Sequence, residues 1–169
     1  MNTPKHVLWT GGWDSTFRVI QLYRLDSTIQ PIYVDDHTRK SSKSELKVVK
    51  ELTKKIPVRF SESKGNILPL IVIKRKNISS NIFLKTIHRK LKSKMNLGKQ
   101  YYWLSCLAKT YKNLEVSLHK EDMDRFFNMD QLIEFDEGTL GTNWKTNPKK
   151  LDFYKKYLFS NMTFPLITI

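Results

Sequence analysis

Residues 7–16, Val-Leu-Trp-Thr-Gly-Gly-Trp-Asp-Ser-Thr, decide the fold of this 169-residue chain. The stretch opens with an apolar run, 7–9, which is typical of a short buried strand. Thr10, Gly11 and Gly12 follow as a turn with little side-chain bulk, and residues 14–16 are of the types that begin helices. Glycine allows a positive φ and a close backbone approach to a ligand. The stretch therefore predicts a strand, a glycine turn and a helix N-terminus in succession.

This arrangement favours an anion-binding turn. A helix N-terminus leaves backbone N–H groups unpaired and carries partial positive charge, so it can hold phosphate without a lysine. The hydroxyls of Ser15 and Thr16 would add donors. The run contains neither the Gly-Lys-Ser/Thr end of a Walker A loop nor a Gly-x-Gly-x-x-Gly pattern. The alternative is an ordinary strand–turn–helix junction, because a glycine pair before a capping aspartate is common in loops.

Length and composition favour one folded domain spanning residues 1–169. Apolar residues make up 40% of the chain and aromatic residues 12%, which is typical of a globular protein. The single cysteine, Cys106, excludes an internal disulfide framework and a Cys-x-x-Cys zinc site, and its apolar neighbours predict a buried structural thiol. The polar first residues and short apolar runs predict neither a signal peptide nor a membrane span. We therefore expect a cytoplasmic protein with no membrane partner.

The positive charge is concentrated in the middle of the chain. Of a formal net charge of +14, residues 41–99 carry +13, since sixteen Lys and Arg face three Asp and Glu there. A stretch of this kind can attract polyanions such as RNA. The alternative is a set of solvated helix faces that lysine happens to cover. Composition alone leaves both interpretations open.

The first third of the chain predicts a strand–helix–strand unit. A helix is expected over 15–25, with Phe17, Ile20 and Tyr23/Arg24 on one face, and a strand over 29–34 that begins irregularly at Pro31. Such a unit implies a parallel sheet with a right-handed crossover. Ligands in these folds lie beyond the carboxyl ends of the strands, where the glycine turn and residues 35–36 would meet.

Further elements follow from periodicity and helix-start signals. A helix is expected from Ser42 to Lys55, with Ser42 and Glu45 as a capping box. Proline suggests a connection over 65–77, and apolar residues at helical spacing predict a basic amphipathic helix over 81–95. The buried face of this helix would carry Leu84, Ile87, Leu91 and Met95, and its exposed face Lys85, Arg89 and Lys92. The other expected elements are a strand over 57–60, an element that begins at Gly98 and continues as a helix to about Tyr111, and a strand over 114–118. Short helices are expected over 122–135 and 147–159, and a strand-like run over 164–169.

The loop resembles the pyrophosphate-binding loop of the N-type ATP pyrophosphatases, Ser-Gly-Gly-x-Asp-Ser, with Thr10 in place of serine. Together with the Gly-Lys-Gln-Tyr segment at 98–101 and the helix and strand after it, the chain is most similar to the 7-cyano-7-deazaguanine synthase branch, over roughly residues 5–122. The resemblance implies an α/β three-layer sandwich of the adenine-nucleotide α-hydrolase type, with a parallel sheet flanked by helices. It also implies an enzyme that adenylates a small-molecule substrate of the carboxylate or amide type with ATP and releases pyrophosphate.

The resemblance also assigns roles to particular residues. Asp14, Ser15 and Arg39 would be catalytic, and Asp14 would cap the helix, position Mg²⁺, or do both. Tyr33 would border the adenine or ribose. The nucleotide-binding residues would be Trp9, Thr10, Gly11, Gly12, Trp13, Asp14, Ser15, Thr16, Val34 and Asp35, and the substrate would meet Gln100, Tyr101, Lys120 and Asp122.

One departure from the family and two alternatives remain open. The deazaguanine synthases carry a C-terminal four-cysteine zinc site that this chain does not have, so we expect ATP and Mg²⁺ but no zinc. The apolar run over 164–169 either pairs into the sheet or belongs to a chain that is naturally short or truncated. One alternative is a tRNA-modifying enzyme that docks RNA on the basic 41–99 region, through Lys85, Arg89 and Lys92. The other is a nucleotide-binding module without turnover. A homodimer is implied only by similarity, since dimers are common among similar proteins.

Overall fold

Short strands alternate with amphipathic helices through most of the chain. A computed structural model describes residues 3–36, 40–94, 97–119, 133–136, 143–146 and 153–167. The chain divides into two compact units, Met1–Asn77 and Ile78–Ile169. In the described residues, strands pair mainly in parallel and helices flank them, so the fold is α/β. No helix of this described part is both long enough and apolar enough to cross a bilayer.

Unit 1 contains the predicted strand–helix–strand unit. Its parallel sheet has β2 in the middle, with β1 on one side and β3 and β4 on the other. A 3₁₀ turn, Arg75–Asn77, ends the unit. The elements in order are β1 (Lys5–Leu8), α1 (Trp13–Arg24), β2 (Thr28–Asp35), α2 (Ser42–Arg59), β3 (Asn66–Ile67) and β4 (Ile71–Lys74).

Both helices of unit 1 pack on one face of its sheet, as right-handed crossovers in the same direction require. Successive side chains of a strand point to opposite faces of the sheet, so residues two apart on β2 lie on the same face. The predicted α1 face was partly wrong, because Phe17 is 52% exposed and the buried positions are shifted by one or two residues. The core of this face consists of Val7, Trp9, Val19, Leu22, Tyr23, Ile29, Tyr33, Val49 and Ile56.

Proline has a different effect on β2 from the one expected. The strand runs through Pro31 without interruption, and Pro31 stays in register with Val7. The irregularity lies on the other side, where the partner strand is split into β3 and β4 around Pro69. The side-chain amide of Gln30 donates through Nε2 to the Pro69 carbonyl at 2.8 Å, across this break. Backbone groups alternate in direction along a parallel strand, so Pro31 turns toward the break, where no N–H donor is needed.

Two predictions in this unit were wrong. The expected strand over 57–60 belongs to the last turn of α2, which continues to Arg59 with Phe60 N–H donating to the Ile56 carbonyl at 3.0 Å. The expected connection over 65–77 contains β3 and β4. In both cases proline was interpreted as the end of an element, although a helix tolerates it near a terminus and an edge strand tolerates it at a break.

Unit 2 begins with the basic helix that the sequence predicted. Leu84, Ile87 and Leu91 are buried, and Lys85, Arg89 and Lys92 are exposed, which confirms the predicted faces. The Asn81 side chain caps the helix by accepting from Leu84 N–H at 2.9 Å. Met95, expected on the buried face, lies outside the described residues. Unit 2 comprises α3 (Ile82–Lys92), α4 (Gln100–Thr110), β5 (Leu114–Glu115), β6 (Leu118–His119), β7 (Ile133–Asp136), β8 (Asn143–Thr146), α5 (Phe153–Phe159) and β9 (Met162–Ile167).

Strand β9 organises the rest of unit 2. It pairs in parallel with β5 and β6 and antiparallel with β8, which in turn pairs with β7. Residues 164–167 of the strand-like run therefore pair in a sheet, and 168–169 lie outside the described residues. The helix expected over 122–135 was wrong at 133–135, which belong to β7, and its remainder lies outside the described residues. The helix expected over 147–159 is confirmed from Phe153 onward, and its earlier part lies outside them.

Candidate functional site

The glycine turn lies at the carboxyl end of β1 and packs against α2. Trp9 is completely buried, and its N–H donates to the Ile32 carbonyl of β2 at 2.8 Å. Gly11 has a φ of +77°, which L side chains adopt at a cost. A Cβ at this position would also lie 3.1 Å from the Glu45 carbonyl oxygen and 3.3 Å from Val49 Cγ2. The turn can therefore reach α2 this closely only with glycine at position 11.

The N-terminus of α1 has no cap in the part of the chain that the structure describes. The N-cap residue is Gly12, which has no side chain to offer, and no other described side chain replaces it. The first helical hydrogen bond runs from Thr16 N–H to the Gly12 carbonyl at 3.0 Å. The N–H groups of residues 13–15 thus have no backbone acceptor among the described residues. Such groups attract an anion, assisted by the helix dipole.

A chain of hydroxyl groups braces the turn from inside. Ser15 is 6% exposed, and its Oγ lies 3.2 Å from Thr10 Oγ1 and donates to the Gly12 carbonyl at 3.3 Å. Ser15 Oγ also accepts a hydrogen bond from Thr10 N–H at 3.3 Å. Because a serine hydroxyl has one proton, Thr10 donates to Ser15, which donates to Gly12. These contacts hold the turn in shape and explain why a threonine can stand at position 10.

Thr16, which follows Ser15, is hydrogen-bonded to the buried Trp9. Trp9 Nε1 donates to Thr16 Oγ1 at 3.0 Å, so the hydroxyl oxygen accepts this bond. Trp13 is 90% exposed and Asp14 is partly exposed on the first turn of α1. The turn thus offers amides, an indole and one carboxylate at a single helix terminus.

The end of β2 lies at the same edge of the unit 1 sheet. Because Leu8 pairs in register with Ile32, the last residues of β2, Val34 and Asp35, extend beyond β1 beside the turn. Asp36 forms an ion pair with Arg75 at 2.5 Å and accepts, through its backbone carbonyl, from Ser42 Oγ at 2.8 Å. The predicted residues of 9–16 and 34–35 are therefore brought together at one edge.

The other predicted residues lie either in unit 2 or outside the described residues. Gln100 and Tyr101 lie on α4 of unit 2; Gln100 is exposed, and Tyr101 is buried with its ring edge-on to Phe159. Arg39, Lys120 and Asp122 lie outside the described residues. Their predicted catalytic and substrate roles stay predictions.

Tyr33 has a structural role that the sequence did not reveal. Its ring is 1% exposed, and its hydroxyl lies within donating distance of the Ser42 carbonyl, 3.0 Å, and of Glu45 Oε2, 3.1 Å. The predicted capping box was wrong, because Ser42 is already inside α2 and its hydroxyl donates to the Asp36 carbonyl. Glu45 instead faces Tyr33, while its backbone carbonyl meets Gly11. Tyr33 therefore fixes the start of α2, against which the glycine turn packs.

Titration of Tyr33 should destabilise the fold above pH 10. Burial, together with the negative charge of Glu45, raises the pKa of Tyr33 to about 12, against an opposing contribution from Ser42. Between these pKa values the unfolded chain loses the proton and the folded chain keeps it, so stability falls as pH rises from 10 to 12. We expect a loss of up to about 2 kcal/mol in that window. Urea unfolding at pH 9 and pH 11.5 measures it, and Tyr33→Phe should lack this component; an equal loss in that variant would contradict the assignment.

Much of the basic charge lies along α2 and α3. Four lysines on one side of α2 line a groove of about 400 Å³ together with Leu46 and Glu51. All four are exposed; they are Lys43, Lys47, Lys50 and Lys54.

The described residues establish the fold class of the chain, which is α/β. Mainly parallel strands are flanked by helices, and a glycine turn with an uncapped helix terminus follows the first strand. This architecture is compatible with a Rossmann-like fold. Comparisons of the chain with protein-family models, with curated proteins and with solved structures found no match.

Proposed function

We propose that this chain is a PP-loop ATP pyrophosphatase, which binds ATP at residues 10–16 and adenylates a small-molecule substrate with release of pyrophosphate. The observation that carries the proposal is the uncapped N-terminus of α1 directly after Gly11. Three amides with no backbone acceptor in the described chain, at the positive end of a helix dipole, suit the pyrophosphate portion of ATP. The edge residues Val34 and Asp35 would then border the adenosine.

The residues present fit Mg²⁺ only in partnership with the nucleotide. The described chain contains no cluster of three or more His, Cys, Asp or Glu side chains that could hold a metal ion. Mg²⁺ commonly takes one or two carboxylates and completes its shell with phosphate oxygens and water, which Asp14 alone could support. When bound, the ion would neutralise phosphate charge. This chain would supply the carboxylate of Asp14 and the amides that hold the leaving group.

The proposed reaction needs positioning and charge stabilisation more than an acid–base pair. A carboxylate oxygen of the substrate attacks the α-phosphorus of ATP, and the bond from that phosphorus to the bridging oxygen of pyrophosphate breaks. An acyl-adenylate remains, and a nucleophile then displaces AMP. The amides of residues 13–15 would stabilise the charge that builds on the departing pyrophosphate. Arg39 is the proposed catalytic cation for phosphate or the substrate carboxylate. The proposed substrate contacts are Gln100, Tyr101, Lys120 and Asp122.

Oxygen-18 tracing tests this chemistry directly. The chain would be incubated with Mg-ATP, hydroxylamine as nucleophile and a panel of carboxylates labelled with ¹⁸O, and pyrophosphate and AMP would be analysed by mass spectrometry. The proposal expects pyrophosphate release with one productive carboxylate and AMP carrying one ¹⁸O. ATP binding without pyrophosphate release across the panel would instead support a binding module. Unlabelled AMP would exclude attack by the carboxylate oxygen.

A further inference from the structure

Three aromatic rings of unit 2 form an exposed cluster on α3 and α5. Phe83 is 49% exposed, Phe153 58% and Tyr157 47%. The Tyr157 ring lies at the centre, with its centroid 5.4 Å from that of Phe83 and 4.6 Å from that of Phe153. Burying an aromatic ring is strongly favourable, so three half-exposed rings grouped around Tyr157 are a costly surface for a chain to keep. Such a cluster suggests a partner.

The two helices that carry these rings have only positive formal charge. Neither α3 nor α5 contains an aspartate or glutamate, although solvated helix faces commonly mix both signs. Lys90 Nζ lies 5.0 Å above the Tyr154 ring and donates to its hydroxyl at 3.1 Å, which places one cation beside the aromatic cluster. Lys156 is exposed and follows Phe153 by one turn. The six basic residues are Lys85, Arg89, Lys90, Lys92, Lys155 and Lys156.

We propose that this face of α3 and α5 binds a single-stranded nucleic acid, with bases stacked on Phe83, Phe153 and Tyr157 and phosphates held by the surrounding cations. Rings combined with a positive groove are the arrangement that accepts unpaired bases, because every base has a π face. A duplex hides those faces, so its bases cannot stack on the three rings. An acidic protein segment would use the cations but not the rings. The proposal concerns unit 2 and does not depend on ATP binding in unit 1.

The rings separate this proposal from simple charge attraction. A surface that attracts polyanions by lysine alone would bind inorganic polyphosphate as well as RNA, and would not change when a ring is removed. A stacking surface should prefer RNA and should lose affinity with each ring. The cations should still impose a salt dependence on binding to a single strand, of about 0.7 in log–log slope per phosphate neutralised.

The test is fluorescence anisotropy of the full chain with a labelled 12-nucleotide RNA of mixed sequence, single-stranded or annealed to its complement. Phe153→Ala and Tyr157→Ala should each weaken binding of the single strand by about tenfold. Phe17→Ala removes a similarly exposed ring from α1 and should leave binding unchanged. Lys156→Ala should reduce the salt slope, whereas the control Lys5→Ala should not. Circular dichroism would establish that each variant is folded.

Several results would overturn the proposal. Equal affinities for single-stranded and duplex RNA would contradict it. Inorganic polyphosphate that competes as effectively as RNA at the same phosphate concentration would also contradict it. Unchanged RNA binding by both ring variants would remove the stacking role. Finally, binding to vesicles with 25% anionic lipid that depends on Phe153 and Tyr157, with no RNA binding, would assign the face to a membrane surface instead.

Discussion

Gly65→Ala should lower the free energy of unfolding by about 3 kcal/mol. A Cβ at Gly65 would lie 2.3 Å from the carbonyl oxygen of Tyr23 and 2.8 Å from its carbonyl carbon and Cα. All three are backbone atoms at the end of α1, so no side chain can rotate away. The neighbouring chain is also fixed, because Lys64 N–H donates to Asp26 Oδ1 at 2.6 Å. Relief therefore requires α1 and the start of β3 to move apart.

Urea denaturation followed by far-ultraviolet circular dichroism measures this loss. Gly98→Ala is the matched control, because the nearest atom to its added Cβ is Tyr101 Cε2 at 3.6 Å, an ordinary contact. We expect that variant to stay within about 1 kcal/mol of the parent chain. Equal transition midpoints for the two variants would show that α1 and residue 65 are not packed as described.

Gly11→Ala should combine a loss of stability with a loss of nucleotide binding. The strained φ costs about 1–2 kcal/mol, and the new methyl group presses on the Glu45 carbonyl oxygen. Relief would move the turn away from α2 and turn the amides of residues 13–15 away from a common point. We expect the affinity for Mg-ATP to fall at least about tenfold, because charge-assisted hydrogen bonds depend on alignment.

Gly12→Ala is the control for the loss of stability expected of Gly11→Ala. Gly12 has an ordinary φ of −72°, and the atom nearest to an added Cβ is Thr10 Oγ1 at 3.5 Å. Its stability should therefore match that of the parent chain, as measured by thermal unfolding. If Gly11→Ala and Gly12→Ala were equally stable, the positive φ at residue 11 would be refuted. If Gly11→Ala bound Mg-ATP as the parent does, the turn would not be the phosphate site.

Local signals were enough to predict the turn and α3. The glycine pair and helix-start residues of 10–16 act within one short segment, and α3 combines a regular apolar stripe with a capping residue, Asn81. In contrast, the buried face of α1 includes Arg18, which is 6% exposed and donates to Gln21 Oε1 at 2.6 Å. A buried cation held by a side chain one turn away breaks the hydrophobic period from which the face was predicted.

Elements that depend on tertiary pairing could not be predicted in the same way. β3 has two residues and exists because Asn66 and Ile67 pair with the start of β2, not because of its own composition. Within the candidate site, the sequence could identify Gly11 as a turn glycine. It could not show that the carbonyl of Glu45 occupies the space of the missing Cβ, or that Tyr33 fixes the helix that brings this carbonyl there.

Isothermal titration calorimetry of the full chain with three ligands, each in the presence of Mg²⁺, tests the central claim most directly. Since the amides at the start of α1 are proposed to hold the pyrophosphate portion, the account predicts saturable binding of ATP at one site, competition by inorganic pyrophosphate, and AMP binding at least about tenfold weaker than ATP. Absence of binding heat with ATP, or equal affinities for AMP and ATP, would contradict it.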